Sequence, residues 1–463
     1  MGNGNLMRPA EPMSEPKRTE LSVRSERALL VGVVLSRSTA DPGDPLGELR
    51  RLAKSAGAEV VDEMVARRER VSAALYVGTG KAQEIADRAA RAEADVVVFD
   101  NDLSPNQIRE LEEIVQRKVL DRSELILDIF AANARTRESR LQVELAQLEY
   151  TYPRLSHMWT HLERVAGGAT SRAASVGGIG TRGPGEKQLE IDRRLVQKRV
   201  SHLKRQIDEI DRRKVRQVRS RKDMPSVCLV GYTNAGKSTL MNLLTGAGVL
   251  VADRLFSTLD TKTRRWKIRE SQTVLLSDTV GFIRDLPHHL VASFRATLEE
   301  AIGADLLLHV ADASSLTDDP PGSHPRLERQ IAAVEGVLKD LGCADHKKLL
   351  VLNKIDRVID PADLSILRRK YPQGMTISAA TGRGADLLVA AVLDRLGGEP
   401  LRVTIRADCR NGRLMNYIAQ HAQVRRQEYL DSTAQIEATM APSHLEPLRS
   451  LGAEVKVVSG DEE

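Results

Sequence analysis

Aromatic residues are scarce in this chain: Phe, Trp and Tyr make up 3% of 463 residues, against 41% hydrophobic overall. Its cores must therefore be built from Leu, Val, Ile and Ala. Cysteine is rarer still, and Cys228, Cys343 and Cys409 are too scattered for a disulfide framework or a metal-binding spacing; Cys228 reads as strand core. No run approaches the roughly 18 apolar residues of a membrane-spanning helix. The first residues, Met1 to Pro9, lack the apolar region of a signal peptide. These absences predict a cytoplasmic protein, with partial membrane association left open. The length predicts two to four domains, and the formal charge of +5 is mild, so its distribution says more than its sum.

What is present begins with a phosphate-binding loop. Gly231, Tyr232, Thr233, Asn234, Ala235, Gly236, Lys237, Ser238 and Thr239 follow the apolar run Ser226–Val230 and precede the helix-like Thr239–Leu244. In that strand, loop and helix context the glycines let backbone N–H groups turn toward phosphates, and the helix N-terminus adds its positive end. Lys237 is placed to reach the β- and γ-phosphates, and Ser238 to ligate Mg²⁺. Downstream, Asp278, Thr279, Val280 and Gly281 read as the second phosphate motif, with Asp278 in the Mg²⁺ shell and the Gly281 N–H facing the γ-phosphate. Asn353, Lys354, Ile355 and Asp356 follow another strand-like run; a carboxylate at Asp356 can accept both N1–H and N2–H of guanine. Adenine offers no such donor pair, so an unsatisfied carboxylate there discriminates against ATP. Ser378, Ala379 and Ala380 complete the base pocket. In order, these motifs predict a site that binds and hydrolyses GTP.

Phe256, Ser257, Thr258, Leu259 and Asp260 form the candidate switch, with Thr258 as the second hydroxyl ligand of Mg²⁺; Thr261 and Thr263 compete for that role. Lys237, Thr258 and Gly281 are thus the candidate catalytic residues. Ras-like enzymes place a water-orienting glutamine after the motif glycine. Phe282 stands there and cannot hydrogen-bond water, which predicts slow intrinsic hydrolysis completed by a partner, unless Arg284 or Asp285 serves instead. Asn234 resembles the asparagine of potassium-activated GTPases and makes K⁺ a second candidate ion.

Residues 1–25 are polar and predict a disordered tail. Over 26–135, strand candidates Ala28–Leu35, Ala73–Val77 and Asp95–Phe99 alternate with helix patterns near 46–56, 80–93 and 104–115, predicting a small parallel α/β domain. Gly78–Lys81 mimics a phosphate loop but lacks its spacing and reads as a helix start. Over 136–222, Leu141, Leu145, Leu148, Tyr152, Leu155, Trp159 and Leu162 keep a 4,3 spacing, and so do Val196, Val200, Leu203, Ile207 and Ile210. Two long helices in an antiparallel hairpin follow from this, the first with a kink at Pro153. The glycine-rich stretch 166–185 forms its tip. Fourteen Lys and Arg between Glu186 and Lys222 face six acids, Glu186 included, a density suited either to a solvated face or to RNA phosphates. Few aromatics accompany them, which favours folded RNA over stacked single strands. Residues 223–396 are the nucleotide-binding domain. In 397–463, strands at Leu401–Ile405 and Glu454–Val458 around a helix over Leu414–Glu428 predict a small α/β appendage. The fold class is α/β and multidomain: a P-loop GTPase domain, mostly parallel, preceded by the small α/β domain and the hairpin.

Gly177, Gly178, Gly180, Arg182, Gly183 and Gly185, in the stretch that runs on to Arg194, together with the switch segment Leu255–Asp260, resemble the HflX family of ribosome-associated GTPases. The resemblance covers nearly everything from residue 27 onward. It implies binding to the large ribosomal subunit and its RNA, with these tip-loop residues reaching toward the peptidyl transferase centre. It also implies GTP-dependent splitting of stalled or idle ribosomes under stress, hydrolysis stimulated by the ribosome, and a hydrophobic residue where Phe282 stands. No DNA partner is expected, and the protein is expected to act as a monomer. Ala169–Val176 and Leu316–Pro325 look like insertions relative to the family pattern. Two other functions fit the residues: a large-subunit assembly factor, and an RNA-binding switch that has lost hydrolysis.

Overall fold

Arg27–Leu35 (β1) is apolar along most of its length and buried through its centre, as a central parallel strand requires. It pairs with β2 (Glu59–Arg68) and β3 (Val96–Phe99), and β4 (Lys118–Leu120) extends the parallel sheet beyond β3. The computed structural model describes residues 26–36, 38, 40–167, 184–219, 224–246, 248, 254–269, 272–285, 300–314, 325–396, 401–430, 432–440 and 442–458. The expected N-terminal tail, the tip residues Gly177, Gly178, Gly180, Arg182 and Gly183, the first insertion, and 316–324 of the second lie outside these residues.

Helices α1 (Gly47–Ala56) and α4 (Arg122–Asn133) cover one face of this sheet, and α2 (Thr79–Arg91) and α3 (Pro105–Val115) the other. Local chemistry sets their starts. Ser104 and Gln107 form a reciprocal capping box with Pro105 in the first turn of α3, and the Asp121 carboxylate accepts from the Glu124 N–H at the start of α4. Gly78 caps α2, and Lys81 pairs with Glu84.

One expected strand is corrected. Ala73–Val77 is a turn closed by the Ser72–Tyr76 bridge, with Tyr76 at φ 61°, and the missing strand is β2. Leu75 and Val77 are apolar because they are buried against the sheet, not because they belong to it. The edge strand β2 carries Glu59, Asp62, Glu63, Arg67 and Arg68, which hid its strand character.

The next two helices, α5 (Arg137–Gly167) and α6 (Pro184–Arg219), pack together, and α5 runs on through Pro153. Leu145, Leu203 and Ile207 form the buried seam with Leu141, Leu148 and Val200 beside them. Glu144 pairs with Arg199, Glu149 with Lys204, and Gln197 donates to Tyr152. These contacts join 141–152 of the first helix to 197–207 of the second. The side chains of Leu155, Trp159 and Leu162 lie outside the described residues. Gly185 falls in the first turn of α6.

A second sheet runs β10 (Met375–Thr376), β9 (Lys348–Asn353), β8 (Leu306–Asp312), β5 (Ser226–Gly231), β7 (Gln272–Asp278) and β6 (Lys262–Arg269). Every pairing is parallel except β6 with β7. Helix α7 (Lys237–Thr245) leaves the carboxyl end of β5, the position where open parallel sheets bind ligands. Among the described residues three more helices, α8 (Pro325–Asp340), α9 (Pro361–Lys370) and α10 (Ala385–Arg395), belong to this domain.

The chain ends in an antiparallel sheet of β12 (Gln423–Leu430), β13 (Thr433–Met440), β11 (Leu401–Asp408) and β14 (Glu454–Val457), with α11 (Gly412–His421) and α12 (Leu445–Ser450). Here too an expectation is corrected: the helix stops at His421, and 423–430, read as its continuation, is β12. That edge strand is exposed at every position, so no apolar alternation marked it.

One hydrophobic cluster crosses from the first sheet to the second. Leu30, Leu49, Leu52, Ile129 and Phe130 join Val230, Tyr232, Leu255, Phe256, Leu259, Phe282 and Ile283.

Candidate nucleotide site

The loop after β5 is shaped by two glycines with no room for a side chain. A Cβ on Gly231 would stand 2.1 Å from the Val310 carbonyl oxygen of β8, and one on Gly236 2.3 Å from Asn353 Nδ2. Gly236 also takes φ +94°, which glycine adopts at no steric cost. Together they press the loop against β8 and the Asn353 segment. Lys237 lies buried at the start of α7 and donates to the carbonyls of Gly231 (3.1 Å) and Tyr232 (3.0 Å). Burial lowers its pKa to about 8, against the opposing pull of Asp278.

Ser238 Oγ stands 2.8 Å from Thr258 Oγ1 and donates to Asp278 Oδ2 at 2.5 Å. Asp278 is fully buried, burial raises its pKa, and its other oxygen, Oδ1, has no hydrogen-bond partner. Two hydroxyls and a carboxylate with an orphaned oxygen suit a hard cation that completes its shell with phosphate and water. Mg²⁺ fits this donor set. Thr263 is not in this cluster; it instead bonds Glu300 and contacts Ser277.

Gly281 rests directly on the loop: a Cβ there would lie 2.6 Å from Thr233 Cα and 3.1 Å from Lys237 Nζ. Phe282 closes a bridge with Tyr232, its N–H donating to Gly231 O (3.1 Å) and its carbonyl accepting from Thr233 N (2.7 Å). The ring of Phe282 is buried in the cluster shared with the first sheet. Arg284 is committed elsewhere, to Glu48 and Asp100, and Asp285 is exposed.

On the base side, Asn353 Nδ2 donates to Ala235 O and Asn353 Oδ1 accepts from Ala379 N, both at 2.9 Å. This stitches the base motif to the phosphate loop. Ser378 Oγ donates to one oxygen of the exposed Asp356 at 2.5 Å, leaving the other free for a base edge. Lys354 takes φ 64°, and its ammonium is held by Asp312 at 2.7 Å, whose second oxygen accepts from Ser314.

Thr233, Asn234, Gly236, Lys237, Ser238, Thr239, Phe256, Ser257, Thr258, Thr279 and Gly281 line one cavity. Other candidate residues have side chains turned away. Leu259, Val280 and Ile355 are core residues, the Tyr232 hydroxyl donates to Glu48, and Asp260 accepts from Thr136. Motif reading missed Asp312 and Ser314, as well as Glu48, Asp100, Arg122, Asn133 and Thr136, which hold the switches from the first sheet and its helices. The last five lie 123–236 positions from the switch residues they hold, and no periodicity or motif connects them.

A phosphate loop on a mostly parallel sheet, with a separate base-recognition corner, defines a P-loop GTPase. Family models match three consecutive stretches: GTP-binding GTPase N-terminal over 44–131, GTP-binding GTPase Middle Region over 133–221, and 50S ribosome-binding GTPase over 226–354. The GTPase HflX of Lacrimispora saccharolytica is 41% identical over 433 residues, 92% of this chain and 96% of that protein. Its counterpart from Escherichia coli K12 is 43% identical over 398 residues, 85% of this chain and 88% of the other. The chain belongs to the HflX family of GTPases and hydrolyses GTP. Among solved structures, a GTP-binding protein from Sulfolobus solfataricus in complex with GDP is similar over 80% of this chain and 98% of its own, at 22% identity and a TM-score of 0.40. Among the described residues no helix is long and apolar enough to cross a membrane.

Proposed function

We propose that this GTPase binds the large ribosomal subunit and splits stalled or idle ribosomes under stress, the subunit stimulating hydrolysis. The observation that carries this is the pairing of a formed nucleotide site with two packed helices, the second of them basic, in a chain whose nucleotide-binding segment matches a model described as a 50S ribosome-binding GTPase. We take the hairpin, 136–222, and the nucleotide domain, 223–396, as separate working units.

In this reading Lys237 and the loop amides hold the β- and γ-phosphates, and the Gly281 N–H faces the γ-phosphate. Ser238 and Thr258, with Asp278 behind them, would hold Mg²⁺, which would supply neutralisation of phosphate charge. Asp356, Ser378 and Ala379 read guanine. Asn234 lines the cavity at φ 61° and is the candidate K⁺ ligand. No side chain at Phe282 can orient water, and Arg284 is occupied by carboxylates. Basal turnover is therefore slow, and the bound subunit supplies the missing alignment. Gly177, Gly178, Gly180, Arg182, Gly183 and Gly185 are assigned to the ribosome contact.

The test is GTP hydrolysis with and without purified large subunits, for wild type and for Gly178→Ala/Gly180→Ala. Strong stimulation that the variant loses, with 70S particles dissociating on sucrose gradients only for wild type, is the expected result. Equal slow rates in all samples would remove the ribosome from the proposal. Stimulation without dissociation would leave an assembly factor.

A further inference from the structure

Two cations and two carboxylates alternate in a nearly dry pocket where the first sheet meets the nucleotide site. Arg122 donates to Glu48 and, at 2.6 Å, to Asp100; Arg284 donates to Asp100 at 2.5 Å and to Glu48 at 3.3 Å. Side-chain exposure is 2% for Arg122, 9% for Asp100, 11% for Glu48 and 13% for Arg284. Tyr232 completes the ring. Its hydroxyl donates to Glu48 and accepts the Arg284 N–H at 2.8 Å. Tyr232 is the second residue of the phosphate loop, and Arg284 lies three residues beyond Gly281. One carboxylate on α1 therefore grips both the loop and the segment that lies on it. Burial opposes ionisation of Glu48, but the charges of Arg122 and Arg284 and the Tyr232 hydroxyl outweigh it and keep its pKa below the usual carboxylate range.

The other switch is held from the same side. Asn133 donates to the Phe256 carbonyl at 3.0 Å, Ser55 Oγ accepts from Leu255 N at 3.0 Å, and Phe130 meets Phe256 edge-on at 4.7 Å. Thr258 thereby stands at Ser238.

We propose that Glu48 is a positioning residue for triphosphate recognition, acting through Arg284 and Tyr232 to keep Gly281 against the phosphate loop. It does not line the nucleotide cavity. Because Gly281 and Thr258 serve the third phosphate, Glu48 raises the fraction of molecules competent for GTP while leaving the GDP contacts alone. Apparent affinity scales with that fraction. This deepens the assignment of Gly281 made above and is independent of any ribosome contact.

The experiment uses the full chain without ribosomes. Dissociation constants for a non-hydrolysable GTP analogue and for GDP, both with Mg²⁺, are compared between wild type and Glu48→Gln. The analogue is expected to bind about tenfold more weakly, and GDP within about twofold of wild type. Equal losses for both nucleotides would mean a general structural role and overturn the proposal. No change, or tighter analogue binding, would overturn it too, the latter making the contact a brake. Tyr232→Phe removes only the bridging hydroxyl; it should weaken the analogue selectively by a smaller factor, and it decides the matter if Glu48→Gln does not fold. Failure of ribosome stimulation elsewhere would leave this result untouched.

Discussion

Gly281 shows how much a single hydrogen atom decides. The backbone of the phosphate loop lies where a methyl group would go, 2.6 Å away at Thr233 Cα, so Gly281→Ala forces the two segments apart. Single-turnover hydrolysis is expected to fall by roughly 10²-fold, the usual cost of removing one aligned transition-state donor. GDP affinity should stay near wild type. An unchanged rate would mean that the γ-phosphate does not face Gly281. At this scale the sequence was most legible: the loop, Asp278, Asn353 and Asp356 sit in short motifs whose chemistry is local. Asp312 was not legible, because the ion pair that holds Lys354 joins residues 42 positions apart.

At the scale of elements, central strands announced themselves and edge strands did not. β1 and β5 are buried on both faces and read as apolar runs, whereas β2 and β12 border solvent and are rich in charge. The joint between α4 and α5 carries a property that no pattern suggested. Glu124 is pushed up to about 7, first by burial and then by the charge of Asp121, while Tyr150 donates to it at 3.3 Å. Arg154 pairs with Asp121 at 3.0 Å and lies 3.4 Å from the centre of the Tyr150 ring. A carboxyl whose folded pKa exceeds its unfolded value of 4.5 favours the folded state most below that value. The advantage is lost as pH rises toward 7, on the order of 3 kcal/mol at about 1.4 kcal/mol per pKa unit. Thermal midpoints of wild type should therefore fall between pH 5 and pH 8, and Glu124→Gln, which keeps a neutral side chain, should flatten that fall. Parallel curves for the two proteins would show that Glu124 ionises normally.

For the whole molecule, the shared core makes the first sheet and the nucleotide domain one cooperative body. A single cluster holds Leu30, Phe130, Tyr232 and Phe282, whereas the cluster of the last sheet, among the described residues, draws on 401–455. Saturating GDP should then raise protection against hydrogen exchange in β1 and α4 as much as in β5, by about 2.7 kcal/mol at 100 times Kd. Protection in β11 and β13 should not change. Stabilisation confined to 226–396 would show that the cluster does not transmit binding. The alternation of strands and helices foretold an α/β chain, but this union was illegible because its contacts are far apart in sequence.

The hairpin also has a mechanical side. Its first helix has 31 residues, a rod of about 46 Å at 1.5 Å per residue. That rod begins at Arg137, one residue after Thr136, whose hydroxyl and N–H both bond Asp260, and four after Asn133, which bonds the Phe256 carbonyl. The second helix returns to Arg219, a few residues before the strand that ends in the phosphate loop. The hairpin is thus a lever with its fulcrum at the switch. A tilt imposed at the far end should therefore be felt at Asn133 and Thr136, which bond the Phe256 carbonyl and Asp260.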